Sequence, residues 1–280
     1  MRGRVPSSLE SMRRDYLAEL GSIAESIARD AAGVAHAKRR EGVQVAASKS
    51  TETDIVTYAD QLTQAFIQER LAELRPQDAF FGEEGGAEGG TSGLTWVIDP
   101  IDGTVNYLYD LPQWSVSIAV VEGDPDPATW TALAGAVCSP VLDEMYTATL
   151  GGGAFLNKHR LSVNQEEDLA FALVGTGFAY GRELRAHQGQ VAAALLPRIR
   201  DLRRLGSCSL DLCAVAAGRL DAFFERDVKP WDHAAGGLIA REAGAVVGGV
   251  HGAREGERLT IAANAHLFPQ LESALVELAY

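Results

Sequence analysis

The stretch Asp99-Pro100-Ile101-Asp102-Gly103-Thr104 follows an apolar run, Leu94-Thr95-Trp96-Val97-Ile98, and its reading decides the fold. The run has the composition of a buried strand. Pro100 has no N–H with which to continue strand pairing, and Gly103 tolerates a sharp turn. Two carboxylates therefore leave a strand end together, with a small hydroxyl residue beside them. Oxygen ligands on a rigid turn suit Mg²⁺, which takes few carboxylates and otherwise keeps water or substrate phosphate. Asp and Gly are also common in turns that merely cap a strand, so the motif gains its meaning from what accompanies it.

The chain has 280 residues, 46% of them hydrophobic, enough to bury a substantial core as one large domain or two fused halves. A net charge of −13 argues against a nucleic-acid or anionic-membrane binder, because phosphate backbones select basic faces. An acidic protein that handles an anionic substrate needs a local positive charge, and bound metal is the obvious source. Cys138, Cys208 and Cys213 lack zinc-ligand or CxxC spacing and read as reduced cysteines. No apolar run approaches membrane-span length, and Met1-Arg2-Gly3-Arg4-Val5-Pro6 lacks the apolar core of a signal peptide. The expected compartment is the cytoplasm.

Outward from the motif, helices and strands alternate without obvious repeats. Tyr16, Leu20, Ile23, Ile27 and Val34 recur at helical spacing and predict a long amphipathic opening helix. A second helix follows Thr57, with Asp60 as its capping-box partner, and stops before Pro76. The 83–92 stretch, rich in Gly and Glu, reads as a surface loop. Strands are expected over 114–121, 133–138 and 144–150. The Gly151-Gly152-Gly153 run and a turn at 157–159 separate this half from the next. Beyond them, strands at 172–175, 221–225, 245–250 and 260–263 alternate with helices at 189–196, 207–217 and 232–243. The pattern implies sheets layered with helices. It is read as a single domain over 1–280, with an N-terminal α+β half of about 1–155 and a C-terminal α/β half of about 156–280.

Four other places carry matching chemistry. Gly82-Glu83-Glu84 follows Phe80-Phe81 and puts carboxylates at another strand end. Trp231-Asp232 follows Pro230 and opens a helix, where an Asp alone is usually only a dipole partner. Lys49-Ser50-Thr51 through Asp54 is a polar connector that opens on a cation and closes on a carboxylate. Gly206-Ser207-Cys208-Ser209 places free backbone N–H groups at a helix start, where anions bind, although every helix has such an end.

Taken together, these blocks resemble the inositol monophosphatase family of metal-dependent sugar-phosphate phosphatases. The resemblance covers Asp54-Ile55-Val56-Thr57 with Asp60-Gln61, Gly82-Glu83-Glu84, and Trp96 through Asn106. It continues through Gly206-Ser207 with Asp211-Leu212-Cys213, Asp221 through Glu225, and Trp231-Asp232 followed by Ala243-Gly244. It implies an α/β fold, a layered αβαβα sandwich of the sugar-phosphatase type, commonly a homodimer, and Mg²⁺-dependent hydrolysis inhibited by lithium.

Carried over position by position, the resemblance puts Glu83, Asp99 and the Ile101 carbonyl on a first metal. Asp99 would bridge to a second ion held also by Asp102 and Asp232, and Glu83 would help hold a third, looser Mg²⁺. Asp54 would pair with the Thr104 hydroxyl, and with Glu83 they would orient the attacking water; Lys49 matches a loop position near the metals. Gly103 and Thr104 would donate backbone N–H groups to the phosphate, with Asp102, Ser207 and Cys208 also lining the substrate. Nothing in the chemistry demands a thiol at Cys208. Glu225 would take hydroxyls of the alcohol.

The chemistry of the residues agrees. Two Mg²⁺ ions about 3.5–4 Å apart serve both ends of an in-line displacement at phosphorus. Glu83, Asp99, Asp102 and Asp232 are carboxylate enough to assemble them, and crowding such anions without metal is unfavourable. His233 adjoins Asp232, but a helical neighbour of a ligand points elsewhere. Direct attack by metal-activated water, without a phosphoenzyme, is the expected route. Glu225, with Asp227 nearby, suits the vicinal hydroxyls of inositol and points to myo-inositol monophosphate. The same acids would pair with the ammonium of histidinol phosphate, the alternative substrate; fructose 1,6-bisphosphate and 2′-phosphonucleotides fit less closely. Some relatives are partners of the transcription machinery, a reading of a different class. The complete carboxylate set favours an enzyme, and the acidic composition disfavours direct RNA contact.

Overall fold

The structure, a computed structural model, describes residues 8–48, 55–123 and 126–280. The first half contains helices α1 (Ser8–Glu41), α2 (Tyr58–Leu74) and α3 (Thr104–Leu108). Its strands are β1 (Val45–Ser48), β2 (Ile55–Thr57), β3 (Ala79–Gly82), β4 (Gly86–Glu88), β5 (Leu94–Asp102), β6 (Ser115–Glu122), β7 (Thr131–Ser139), β8 (Glu144–Thr149), β9 (Gly153–Leu156) and β10 (His159–Arg160). The second half adds β11 (Leu173–Thr176), α4 (Arg182–Leu195), β12 (Asp201–Arg203), α5 (Cys208–Ala216), β13 (Ala222–Glu225), α6 (Pro230–Glu242), β14 (Val246–Gly248), β15 (Thr260–Ala263) and α7 (Leu267–Glu277). No described helix is long and apolar enough to cross a membrane.

Two large sheets organise these elements, and β1 and β2 form a separate antiparallel pair. Eight strands run in the order β10-β9-β8-β7-β6-β5-β3-β4, antiparallel except where β3 meets β5; five run in the order β12-β11-β13-β15-β14. One face of the larger sheet is covered by α1 and α2 through Leu20, Ile27, Ile67, Trp96, Ile98 and Ile118. Its other face packs on α5 and α6, which lie between the sheets and bury Leu212, Val215, Leu238 and Ile239. The outer face of the smaller sheet is covered by α4 and α7 through Val191, Leu195, Leu271 and Leu275. The layers are α, β, α, β, α, as expected. A helix between two sheets must be apolar nearly all round, and every residue of α5 is buried.

The local signals explain most element ends. Thr57 caps α2: its hydroxyl accepts the Ala59 N–H at 3.2 Å, while the Asp60 carboxylate accepts the Thr57 N–H at 2.8 Å. Other ends differ from expectation. β5 runs past Pro100 to Asp102, because a register shift between Asp99 and Asp102 excuses the proline from pairing. The expected 83–92 loop contains β4, which folds back on β3 through a turn with Gly86 at φ +72°. The 151–153 glycines turn a hairpin within the larger sheet rather than ending it. The helix expected from residue 189 starts at Arg182, since Gly189 sits with open space around it and interrupts nothing.

Asn106, just inside α3, joins the two halves. Its amide donates to the Gln113 carbonyl at 2.6 Å and to the Leu205 carbonyl at 2.8 Å, the latter on the loop that leads into α5. Two neutral hydrogen bonds from a buried amide contribute about 1–3 kcal/mol together. Asn106→Ala is therefore expected to lower the unfolding free energy by about 1–3 kcal/mol, measured by urea denaturation. An unchanged midpoint would show that the bridge is not holding the halves together.

Candidate active site

The strand ends and helix starts meet around one cleft of about 440 Å³. Glu83 reaches it from the β3–β4 turn, Asp99, Ile101 and Asp102 from the end of β5, Glu225 from the end of β13, and Asp232 from the first turn of α6. Gly103, Thr104 and Cys208 also line it. The structure thus gathers nine of the expected site residues. Lys49 and Asp54 lie outside the described residues. Ser207 is buried behind the lining, between its neighbours Gly206 and Cys208.

Each acid is held by donors from a different part of the chain. Asp99 accepts the Ile101 N–H at 3.0 Å, which closes the turn at Pro100. The Oδ2 of Asp102 accepts the Ser207 hydroxyl at 2.6 Å and the Ser209 N–H at 2.7 Å, and also the Ser209 hydroxyl. Ser115 stands behind, 2.8 Å from the Ser209 hydroxyl. The start of α5 therefore grips a protein carboxylate, and the Ser207 oxygen, which also faces the Leu210 N–H, is engaged inside the protein rather than at the cleft surface. Asp232 accepts the Lys229 N–H at 2.6 Å, and Trp231 beside it packs edge-on against Phe81 at 5.4 Å, drawing α6 towards the Glu83 turn. Gln64 of α2 supports that turn by accepting the Glu84 N–H at 2.9 Å. The Thr104 hydroxyl lies 3.2 Å from Asp60 and 3.1 Å from the Ile101 carbonyl, so its proton has acceptors among the described residues.

Two glycines allow the close packing. Gly103 has φ +95°, and a Cβ there would sit 2.9 Å from the Gln113 carbonyl oxygen. At Gly177, after β11, a Cβ would fall 1.9 Å from a Glu225 carboxylate oxygen, so that acid rests directly on the Gly177 backbone.

Burial dominates the electrostatics. It pushes the carboxyl groups of Asp102 and Asp232 upward, and for Asp232 the neighbouring Asp102 and Glu83 add to the rise. Glu225 is pushed up to about 8 by burial, with Arg204 opposing and Asp102 and Asp227 assisting the shift. Asp211, in α5, is raised by burial and by Glu225 and Asp102. Among the described residues no three His, Cys, Asp or Glu side chains already converge on a single point as a metal nest. The donor set is nevertheless all oxygen, and buried carboxylates whose ionisation is opposed by burial and by one another fit a hard divalent cation, which would relieve both penalties. His233 takes no part. It is buried near Trp130 at 6.3 Å, and burial pulls its pKa down to about 4, leaving it neutral.

Sequence reasoning passed over several residues. Ser209 holds Asp102, and its only signal was its place in Gly206-Ser207-Cys208-Ser209. Arg204, Arg226 and Lys229 bring positive charge to the cleft wall; Lys229 pairs with Asp227 at 3.0 Å. Phe178, Ala179 and Tyr180 line it from a segment with no motif.

The chain matches the Inositol monophosphatase family over residues 16–279. It is 44% identical over 248 residues to an inositol-1-monophosphatase of Mycobacterium leprae, covering 82% of this chain and 83% of that protein. It is 43% identical over 213 residues to the Nus factor SuhB of Pasteurella multocida, covering 75% and 76%. The solved structure of Mycobacterium tuberculosis SuhB superposes with a TM-score of 0.79 at 40% identity, over 93% of this chain and 97% of that one. Agreement of this extent, on a fold with the same layers, makes the chain a member of the inositol monophosphatase family, whose enzymes are metal-dependent phosphatases.

Proposed function

We propose that this phosphatase hydrolyses myo-inositol monophosphate with two to three Mg²⁺ ions, held by Glu83, Asp99, the Ile101 carbonyl, Asp102 and Asp232. The observation that carries the reading is the meeting of four carboxylates, from a turn, a strand end and a helix start, in one cleft with Glu225. Relatives named inositol-1-monophosphatase support the substrate. Bound Mg²⁺ would shield the phosphoryl oxygens and make water acidic enough to act as nucleophile near neutral pH.

The protein's own groups do the rest. Thr104, paired with Asp54 and with further acceptors at Asp60 and the Ile101 carbonyl, orients the attacking water together with Glu83. The Gly103 and Thr104 N–H groups hold the phosphate, close to Cys208. Glu225 accepts hydroxyls of the alcohol, most strongly when it is ionised, and Arg204 favours that state. A homodimer belongs to the same reading, as the resemblance implies, and the cytoplasm is the proposed compartment. A second reading, a partner of the transcription machinery, draws on the relatives named Nus factor SuhB. Pull-down of transcription proteins by a catalytically dead variant would support it.

The proposal is tested by phosphate release from myo-inositol monophosphate, histidinol phosphate, fructose 1,6-bisphosphate and adenosine 2′-phosphate, with Mg²⁺ and with added Li⁺. Preference for histidinol phosphate would overturn the substrate. Asp99→Asn is expected to fold normally, judged by circular dichroism, and to lose nearly all Mg²⁺-dependent turnover. Near-normal hydrolysis by that variant would remove Asp99 from the metal centre.

Glu225 generates a pH prediction. Its folded pKa, about 8, lies above the ordinary carboxyl value of 4.5. The folded state therefore keeps a proton that the unfolded state has lost, and stability falls as pH rises between those values. In metal-free protein the urea midpoint is expected to fall from pH 5 to about 8, and less steeply in Glu225→Gln. Equal slopes for the two proteins would show that Glu225 ionises normally in the fold.

A further inference from the structure

Two wall segments on the Glu225 side of the cleft are joined by residues that no motif marks. The first, at 177–180, leaves β11 and presents Phe178, Ala179 and Tyr180 to the cleft; the second is the end of β13 with Arg226. Gln188, on α4, is 1% exposed. Its side-chain oxygen accepts the Ala179 N–H at 2.8 Å. Because a backbone N–H occupies that oxygen, the amide must turn its nitrogen the other way, where it donates to the Tyr280 hydroxyl at 3.1 Å. The Tyr280 ring packs edge-on against Phe224 at 5.2 Å and lies under the Arg226 guanidinium at 5.6 Å. One buried amide and one phenol thus brace both segments.

We propose that Gln188 and Tyr280 are positioning residues that set the alcohol-recognising wall of the cleft, and with it the affinity for the alcohol portion of the substrate. The inference builds on the phosphatase reading above, and the family match, which ends at residue 279, does not reach Tyr280. Glu225 rests on the Gly177 backbone, so displacement of 177–180 displaces the carboxylate as well. The phosphate side is held separately, by the turn at Asp99 and the start of α5 on Asp102. Loss of the brace should therefore weaken recognition of the alcohol and leave the reaction at phosphorus alone.

Tyr280→Phe removes only the hydroxyl, and Tyr280→Ala removes the ring as well. The intact chain carrying each change is compared with the parent in three measurements: kinetics on myo-inositol monophosphate, kinetics on phenyl phosphate, which lacks a polyol, and backbone hydrogen exchange. For Tyr280→Phe, KM for inositol monophosphate is expected to rise about five- to tenfold, the worth of about one neutral hydrogen bond, with kcat within about twofold. Tyr280→Ala should raise it further, while phenyl phosphate kinetics and inhibition by inorganic phosphate stay at parent values. Exchange at 177–180 should quicken and that at 99–104 should not. Unchanged exchange at 177–180 would overturn the brace whatever the kinetics. Faster exchange with unchanged KM, or equal losses on both substrates, would overturn its role in alcohol recognition. A parent that hydrolyses phenyl phosphate but not inositol monophosphate would refute the substrate reading, and the exchange data would still decide the brace.

Discussion

Several carboxylates must share one buried cleft, and the rest of the molecule is arranged around that constraint. An ionised carboxyl loses solvation on burial and repels its neighbours, so each needs donors that water no longer supplies. Here the donors are backbone N–H groups and hydroxyls fixed by secondary structure. The Ile101 N–H serves Asp99, Lys229 serves Asp232, and the start of α5 serves Asp102 through Ser207 and Ser209. Asp102 belongs to the larger sheet, while α5 lies between the sheets. The bonds that stabilise the acid are therefore bonds that dock the two halves. Assembly of the cleft and closure of the fold are one event.

That coupling explains why the start of α5 is more than a place for an anion to land. Helix starts carry free N–H groups and a partial positive charge, and a substrate phosphate is one occupant they can accept. In this chain the first such occupant is the protein's own Asp102. The two serines turn a general property of helices into an orienting device, with Oδ2 fixed by three donors. Ser115 extends the device to β6, so the carboxylate of β5 is tied to α5 and, through Ser209, to β6.

Much of this was legible in the sequence because it lives in short-range chemistry. The Thr57–Asp60 capping box, the α1 helix and the turn after Asp99 depend on neighbours within a few residues, and all appear in the structure, although the buried face of α1 runs through Leu17, Leu20, Ala24 and Ile27 and leaves the expected Tyr16 exposed. The carboxylates at four separate points could be read as one site only through their resemblance to a family. Nothing local in Glu83 or Asp232 says that they will meet. What escaped was set by tertiary contact. β4 exists because β3 offers it an edge, and β5 survives Pro100 because a bulge absorbs the missing donor. α7 was legible and went unread: its buried Leu267, Leu271, Ala274 and Leu275 follow helical spacing.

The two sides of the cleft differ in how they are held, and this bears on which features of such a phosphatase can be read from sequence. The acids proposed for metal and phosphate sit on a strand end, a tight turn and a helix start, where backbone geometry leaves few alternatives and a motif records the requirement. The wall proposed for the alcohol is made of Phe178, Ala179, Tyr180, Arg204 and Arg226, from segments without regular structure, and is fixed by side-chain contacts reaching from α4 and the residues beyond α7. Side chains in such segments can change without disturbing Asp99 and Asp102, because the hydrogen bonds on those two acids run through other elements. A fold built this way can keep one reaction at phosphorus while the alcohol it accepts varies. The reaction class accordingly shows in short motifs, and the wall proposed for the alcohol is set by contacts among residues far apart in the chain, such as Gln188 with Tyr280 and Glu225 with Gly177.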